Sequence, residues 1–179
     1  MGPPGSGKGT QASYIADLLD VNSISTGDLF RENLACGTEL GMLAKGYMER
    51  GEYVPDNVTV NMIMEWINDS KNNSGFVLDG FPRTIIQAEE LDGRLDHKGV
   101  DKVVFFDVGF EKLVERLTGR LICRGCQKPY HELFAPPVRK KICDFCGENL
   151  YQREDDKIEV VENRLNVYKE STEAVLKYY

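Results

Sequence analysis

Nine residues near the start of the chain, GPPGSGKGT from Gly2 to Thr10, have the composition and order needed to hold an anion. Glycines let successive backbone N–H groups converge on one phosphate with no Cβ in the way. A helix expected to begin near Lys8 turns its positive end toward the same point, equivalent to about half a unit charge. Lys8 adds a point charge that can follow phosphate oxygens. Thr10, one place later than the hydroxyl that usually follows such a lysine, is the candidate partner for an accompanying Mg2+. Phe76-Val77-Leu78-Asp79 reads as an apolar strand delivering a carboxylate, which puts Asp79 in the magnesium region through water. The plain alternative is a flexible Gly/Pro loop.

A second chemistry lies in the cysteines. Cys123-x-x-Cys126 and Cys143-x-x-Cys146 stand sixteen residues apart, the spacing of a four-cysteine zinc site. Four thiolates close the coordination sphere and leave no position for water or substrate, so the zinc is expected to be structural. Two disulfides are the alternative, disfavoured in a reducing compartment. Arg124, Lys128, Arg139, Lys140 and Lys141 also raise a nucleic-acid zinc ribbon, but the phosphate loop has no place in one and aromatics at stacking spacing are lacking. Cys36, the fifth cysteine, reads as a small core residue. His97 and His131 fit no catalytic pairing and are expected to be structural or exposed.

The elements around these residues alternate. A helix is expected over Gln11–Leu19, a strand over Val21–Ser25, and helices over Asp28–Ala35 and Glu39–Arg50. Thr38 is the candidate N-cap of the second of these helices, and Gly51 its stop. Pro55-Asp56 opens another helix, with Val58, Met62 and Trp66 recurring every four residues. Phe76–Leu78 and Val103–Phe106 are continuous apolar runs, expected as parallel strands buried on both faces. Gly119 to Asp156 breaks the pattern and reads as an inserted small β domain. Ile158 to Tyr179 carries apolar residues at spacings of three and four, an amphipathic helix of nearly six turns. The balance of 41% hydrophobic and 28% charged residues over 179 positions is that of an ordinary globular protein. A net charge of −7 disfavours a nucleic-acid partner. No apolar run is long enough to span a membrane, and no signal peptide is visible, so the expected address is cytoplasmic.

Further motifs stand beside the loop: STGDLFR (Ser25–Arg31), LDGFPRT (Leu78–Thr84) with Gln87, LTGR (Leu117–Arg120), YQREDD (Tyr151–Asp156) and ENRL (Glu162–Leu165). Together they resemble the adenylate kinases, from the first residue to the last, and the cysteine-bearing insertion resembles the family's long-lid type. The resemblance implies an α/β P-loop nucleotide kinase fold, a parallel sheet flanked by helices with a zinc-bearing β lid. It implies transfer of the terminal phosphoryl group of Mg·ATP to AMP, giving two ADP, by a protein expected to act as a monomer. The core would be residues 1–24, 55–118 and 157–179, the AMP segment 25–54, and the lid 119–156.

By the same resemblance, ATP would meet Gly5, Ser6, Gly7, Lys8, Gly9, Thr10, Arg116, Arg120, Pro129 and Tyr130. AMP would meet Thr26, Arg31, Glu52, Tyr53, Val54, Gly80, Phe81, Pro82, Arg83, Gln87, Arg153 and Arg164. Lys8, Arg83, Arg120, Arg153 and Arg164 would carry the catalysis. Arginine suits the task because its planar fork stays charged and binds phosphate oxygens in pairs. Asp155 and Asp156 would form lid ion pairs.

The chain begins inside the phosphate loop and stops within the long helix. Compared with the family pattern, a first strand central to the sheet and a last strand are expected to be missing, as in a fragment of a longer product. The alternatives are a sibling nucleotide kinase with another donor or acceptor, and a zinc-binding fragment that does not turn over.

Overall fold

The computed structural model describes residues 1–72, 74–95 and 99–179. His97 lies outside them. Helix α1 (Lys8–Leu19) follows the loop directly and ends at Asp20, whose left-handed backbone (φ 54°) turns the chain into β1 (Asn22–Ser25). β1 pairs in parallel with β2 (Phe76–Asp79), Asn22 opposite Phe76 and Ser25 opposite Asp79. This register brings the two C-terminal ends level, so that Thr26 Oγ1 donates to Gly80 O at 2.9 Å. In open α/β sheets, ligands gather at that end of the strands.

Helices α2 (Thr26–Ala35) and α3 (Glu39–Arg50) form a tight hairpin. Thr38 caps α3 by accepting from the Gly41 N–H at 3.0 Å, and Gly51 ends it at φ 73°. A Cβ on Gly41 would lie 2.3 Å from the Asn33–Leu34 backbone, so only glycine allows this approach. Helix α4 (Asp56–Ile67) buries Val60, Ile63 and Met64 against Ile24, Phe81 and Leu91, the last from α5 (Ile85–Arg94). The stripe read from the sequence, Val58, Met62 and Trp66, is only half-buried. The fully buried ridge is its neighbour on the same helix. Each large apolar side chain sealed there contributes about 1.5–3 kcal/mol.

A second core joins α6 (Phe110–Thr118) to α7 (Ile158–Val167) through Leu113, Leu117, Val161 and Leu165. The predicted last helix is continuous but not uniform: a π-helical turn, Tyr168–Thr172, separates α7 from α8 (Glu173–Tyr178). The insertion is a small antiparallel sheet of β3 (Arg120–Cys123), β4 (Pro129–His131) and β5 (Leu150–Tyr151), in order β4-β3-β5. His131 is structural. Its Nδ1 accepts from the Leu133 and Phe134 amides at 3.0 and 3.1 Å, which leaves Nε2 to donate to Glu115 O at 3.2 Å.

One expected strand does not form. Val103–Phe106 adopts no regular structure, and Val104 is 50% exposed. The backbone beside it is that of Met1, whose amino group donates to Val104 O while the Phe106 N–H donates to Met1 O at 2.9 Å. A strand needs pairing along its length, and one neighbouring residue supplies a single such pair.

Candidate active site

The phosphate loop leaves β2 and α1 facing each other. Gly7, at φ 95°, is the N-cap of α1, a backbone that other residues adopt only under strain. A Cβ on Gly9 would sit 3.2 Å from Asp79 Oδ2, so the carboxylate that ends β2 lies against the loop. Lys8 Nζ donates to Pro3 O at 2.7 Å. Burial lowers its pKa to about 8, with Arg83, Arg164 and Arg120 acting in the same direction and Asp79 against them.

The loop floors a cleft of about 550 Å3. Arg31 from α2, Arg83 after β2, Arg116 from α6, Arg120 at the start of β3, Arg153 after β5 and Arg164 from α7 all line it. So many cations in one space repel one another, and three aspartates hold them. Asp156, fully buried at 0% exposure, accepts from Arg120 Nε at 2.8 Å, from Arg120 Nη2, and from Arg164 Nη1 at 3.1 Å. Asp155 pairs with Arg164 at 3.1 Å. Burial opposes ionisation of the Asp155 carboxyl, but Arg164, Arg31, Arg120 and Arg153 outweigh it and lower its pKa. Asp28 pairs with Arg31 and reaches Arg153 Nη2 at 3.4 Å, joining α2 to the segment after β5. Burial and the neighbouring Arg31 and Arg120 lower the pKa of Arg153 to about 10.

On the other side, Arg83 Nε donates to Gly80 O at 2.7 Å, and its guanidinium lies over the Tyr53 ring at 5.1 Å. Gln87 is buried. Its Oε1 accepts from the Arg83 N–H at 2.8 Å, and its Nε2 donates to Asp56 at 2.7 Å. Thr172 donates to Arg83 O at 2.8 Å and shares a 2.8 Å hydrogen bond with Tyr53 OH, so the π-helical turn supports the arginine loop. Among the predicted residues, Gly5, Gly7, Gly9, Thr10, Thr26, Glu52, Val54, Gly80, Phe81, Pro82 and Pro129 also line the cleft. Ser6 and Tyr130 do not. Ser6 is buried beneath the loop, and Tyr130 OH accepts from the Asp144 N–H at 2.9 Å and meets Cys143 Sγ at 3.4 Å.

Sequence reasoning did not single out Asp28, Tyr168 or Thr172 for the site. Tyr168 and Thr172 follow Arg164 at helical intervals of four, and that periodicity is the signal that reaches them.

The four cysteines of the insertion meet, with their sulfurs all within 4.8 Å of one another. Cys123 and Cys146 sulfurs are 3.3 Å apart, and those of Cys126 and Cys143 are 3.6 Å apart. Tetrahedral thiolates at about 2.3 Å from a metal stand about 3.8 Å apart, so the donor set fits a thiophilic ion. Each pair is folded into a knuckle: the Gln127 N–H donates to Cys123 O at 3.2 Å and the Gly147 N–H to Cys143 O at 2.9 Å. Both residues that follow the knuckles have positive φ, 57° and 81°.

A phosphate loop set into an arginine-lined cleft beneath a cysteine-bearing β insertion defines a nucleotide-handling protein of the P-loop class. A family model described as Adenylate kinase matches residues 1–179. A relative called adenylate kinase from Methanocella arvoryzae is 52% identical over 181 aligned positions, covering 100% of this chain and 84% of the relative. Relatives of the same name from Methanosarcina mazei and Carboxydothermus hydrogenoformans are 49% and 50% identical, again over 100% of this chain. The chain belongs to the adenylate kinase family. Among the described residues no helix is long and apolar enough to cross a membrane.

Proposed function

We propose that the chain transfers the terminal phosphoryl group of Mg·ATP reversibly to AMP, giving two ADP. The observation that carries this is the convergence of Lys8, Arg31, Arg83, Arg120, Arg153 and Arg164 on one cleft floored by a phosphate loop. Two nucleotides facing each other bring a dense negative charge, and phosphoryl transfer leaves the protein chiefly to position and neutralise it.

In this proposal, residues Gly5 to Thr10 cradle the donor phosphates, and Arg120 holds them from the lid side. Arg116 and Pro129 face the donor base, while Tyr130 stays packed against the cysteine cluster. Arg31 and Arg83 hold the acceptor phosphate, while Arg153 and Arg164 bridge the group in flight. Thr26, Gln87 and the Glu52–Val54 stretch line the acceptor nucleoside. Asp79 and Thr10 hold the magnesium of the substrate, which neutralises phosphate charge when bound. Segments 25–54 and 119–156 close over the two nucleotides and keep water out. The Asp28–Arg153 contact between them supports such a closure. Transfer is direct: no histidine or cysteine stands among the described lining residues to pair as base or nucleophile. The cysteine cluster holds zinc as a staple for the lid.

A coupled assay of ADP formation, run with AMP and other monophosphates and with ATP and GTP, tests the assignment. Lys8→Ala and Arg83→Ala are each expected to lower turnover by orders of magnitude with unchanged circular dichroism. Near-normal rates in both variants, or a trapped phosphoenzyme, overturn it. Preference for another base moves the assignment to a sibling kinase.

A further inference from the structure

Among the described residues three buried side-chain polar atoms have no hydrogen-bond partner: Ser6 Oγ, Arg153 Nε and Tyr168 OH. All three belong to residues of the phosphate loop or of the cleft it floors. Burying a polar group unpaired is unfavourable, and an isolated case in a native protein calls for a partner that arrives later. Ser6 Oγ lies beneath the loop, outside the cleft lining, and for Arg153, which lines the cleft, that partner is a nucleotide phosphate under the function proposed above. Tyr168 has no such assignment.

We infer that the Tyr168 hydroxyl is a further phosphate-binding donor, directed to the phosphate of the acceptor nucleotide. The inference rests on the acceptor-side reading of Arg83 and Arg164. Tyr168 is only 7% exposed, yet it lines the cleft together with Arg164, four residues before it, and Thr172, four residues after. Those three positions form one helix face, and the two neighbours already engage the arginine cluster: Arg164 through Asp155 and Asp156, Thr172 through Arg83 O. The other phenol nearby is taken, since Tyr53 OH is bonded to Thr172. Tyr168 also begins the π-helical turn, a local widening that helices tolerate most often at functional sites. Burial, with Glu173, Tyr53 and Asp107 in support, pushes its pKa up to about 12, so it stays a neutral donor through the physiological range. A neutral hydroxyl on a residue that lines the same cleft as the arginines adds direction to the phosphate site without adding repulsion.

The test is calorimetric binding of AMP and of adenosine, which lacks the phosphate, to the wild-type protein and to Tyr168→Phe, with thermal melts of both proteins without ligand. Loss of a hydrogen bond to a charged oxygen is expected to weaken AMP binding by roughly tenfold or more. Adenosine affinity is expected to stay unchanged, and the ligand-free melting temperature to stay level or rise, because the removed hydroxyl had no protein partner. AMP affinity within about twofold of wild type overturns the inference. Equal losses for AMP and adenosine overturn it too, by placing the hydroxyl on the nucleoside. A lower ligand-free melting temperature, including failure to fold, shows a structural role and likewise overturns it. A wild-type protein that binds no AMP instead refutes the acceptor-side reading itself, visibly and without the variant.

Discussion

Replacing Asp156 by alanine isolates the electrostatic balance of the cleft. The carboxylate is fully buried and accepts from two arginines whose side chains are 23% and 19% exposed. Removing one partner of a buried ion pair costs about 3–5 kcal/mol, because the charges left behind are neither solvated nor paired. Arg120 and Arg164 keep some contact with water, and Arg164 keeps Asp155. The lower end, about 3 kcal/mol, is therefore the expected loss. For a chain of this size each kcal/mol shifts the melting temperature by about 2–4 °C, which predicts a drop of about 6–12 °C. Differential scanning calorimetry on wild type, Asp156→Ala and Asp156→Asn measures it. The asparagine variant keeps an acceptor of similar volume and is expected to fall between the other two. A phosphate-rich bisubstrate mimic is expected to raise the melting temperature more in Asp156→Ala than in wild type, since its anionic groups supply the missing counter-charge. If Asp156→Ala melts within about 2 °C of wild type, the aspartate is not what holds the cations together.

Other outcomes follow from the same geometry. Because Lys8 has a pKa of about 8 in the ligand-free cleft, kcat/KM for Mg·ATP should fall as pH rises through that value, by about tenfold per unit beyond it. The same shift makes the unfolded chain the stronger proton binder between about 8 and the ordinary lysine value, so the Lys8 contribution to stability rises with pH there; titrating Lys8→Met alongside wild type checks both signs. Asp155, whose pKa is also lowered in the fold, should give the same sign in acid: its contribution is present above the ordinary carboxylate range and is lost as pH falls through the depressed value, which acid melts of Asp155→Asn against wild type will show. Stripping metal with a chelator should raise hydrogen exchange across β3, β4 and β5 before the α4–α5 core responds, because the lid's buried cluster is only Leu121, Leu150 and two of the cysteines, with Tyr130 packed against it. Thr38→Ala should cost about 1 kcal/mol through loss of the α3 cap, measured by denaturant melts.

What could be read from the chain alone was whatever depends on local spacing. Residues Gly2 to Thr10 form an anion cradle because glycine and a following helix suffice for one, wherever the rest of the chain goes. Two C-x-x-C pairs become knuckles because each closes on itself through a backbone hydrogen bond. Helix α3 begins at its threonine cap and stops at Gly51, as read, because capping is a matter of adjacent residues. Tertiary structure decided the rest. Motifs put the arginines on separate elements but were silent on how six cations share one cleft. The folded chain shows Asp28, Asp155 and Asp156 threaded between them, contacts made across more than a hundred residues in the case of Asp28 and Arg153. Apolar composition alone suggested a strand at Val103–Phe106, yet a strand exists only where a neighbour pairs with it, and pairing is not a property of the segment. Which face of α4 is buried, Val60–Ile63–Met64 and not its neighbour, was set by what packs against it. Tyr168 was one apolar position in a helical stripe. Only the packing around it shows a hydroxyl sealed from solvent and bonded to no other group, on a residue that lines the same cleft as the arginines.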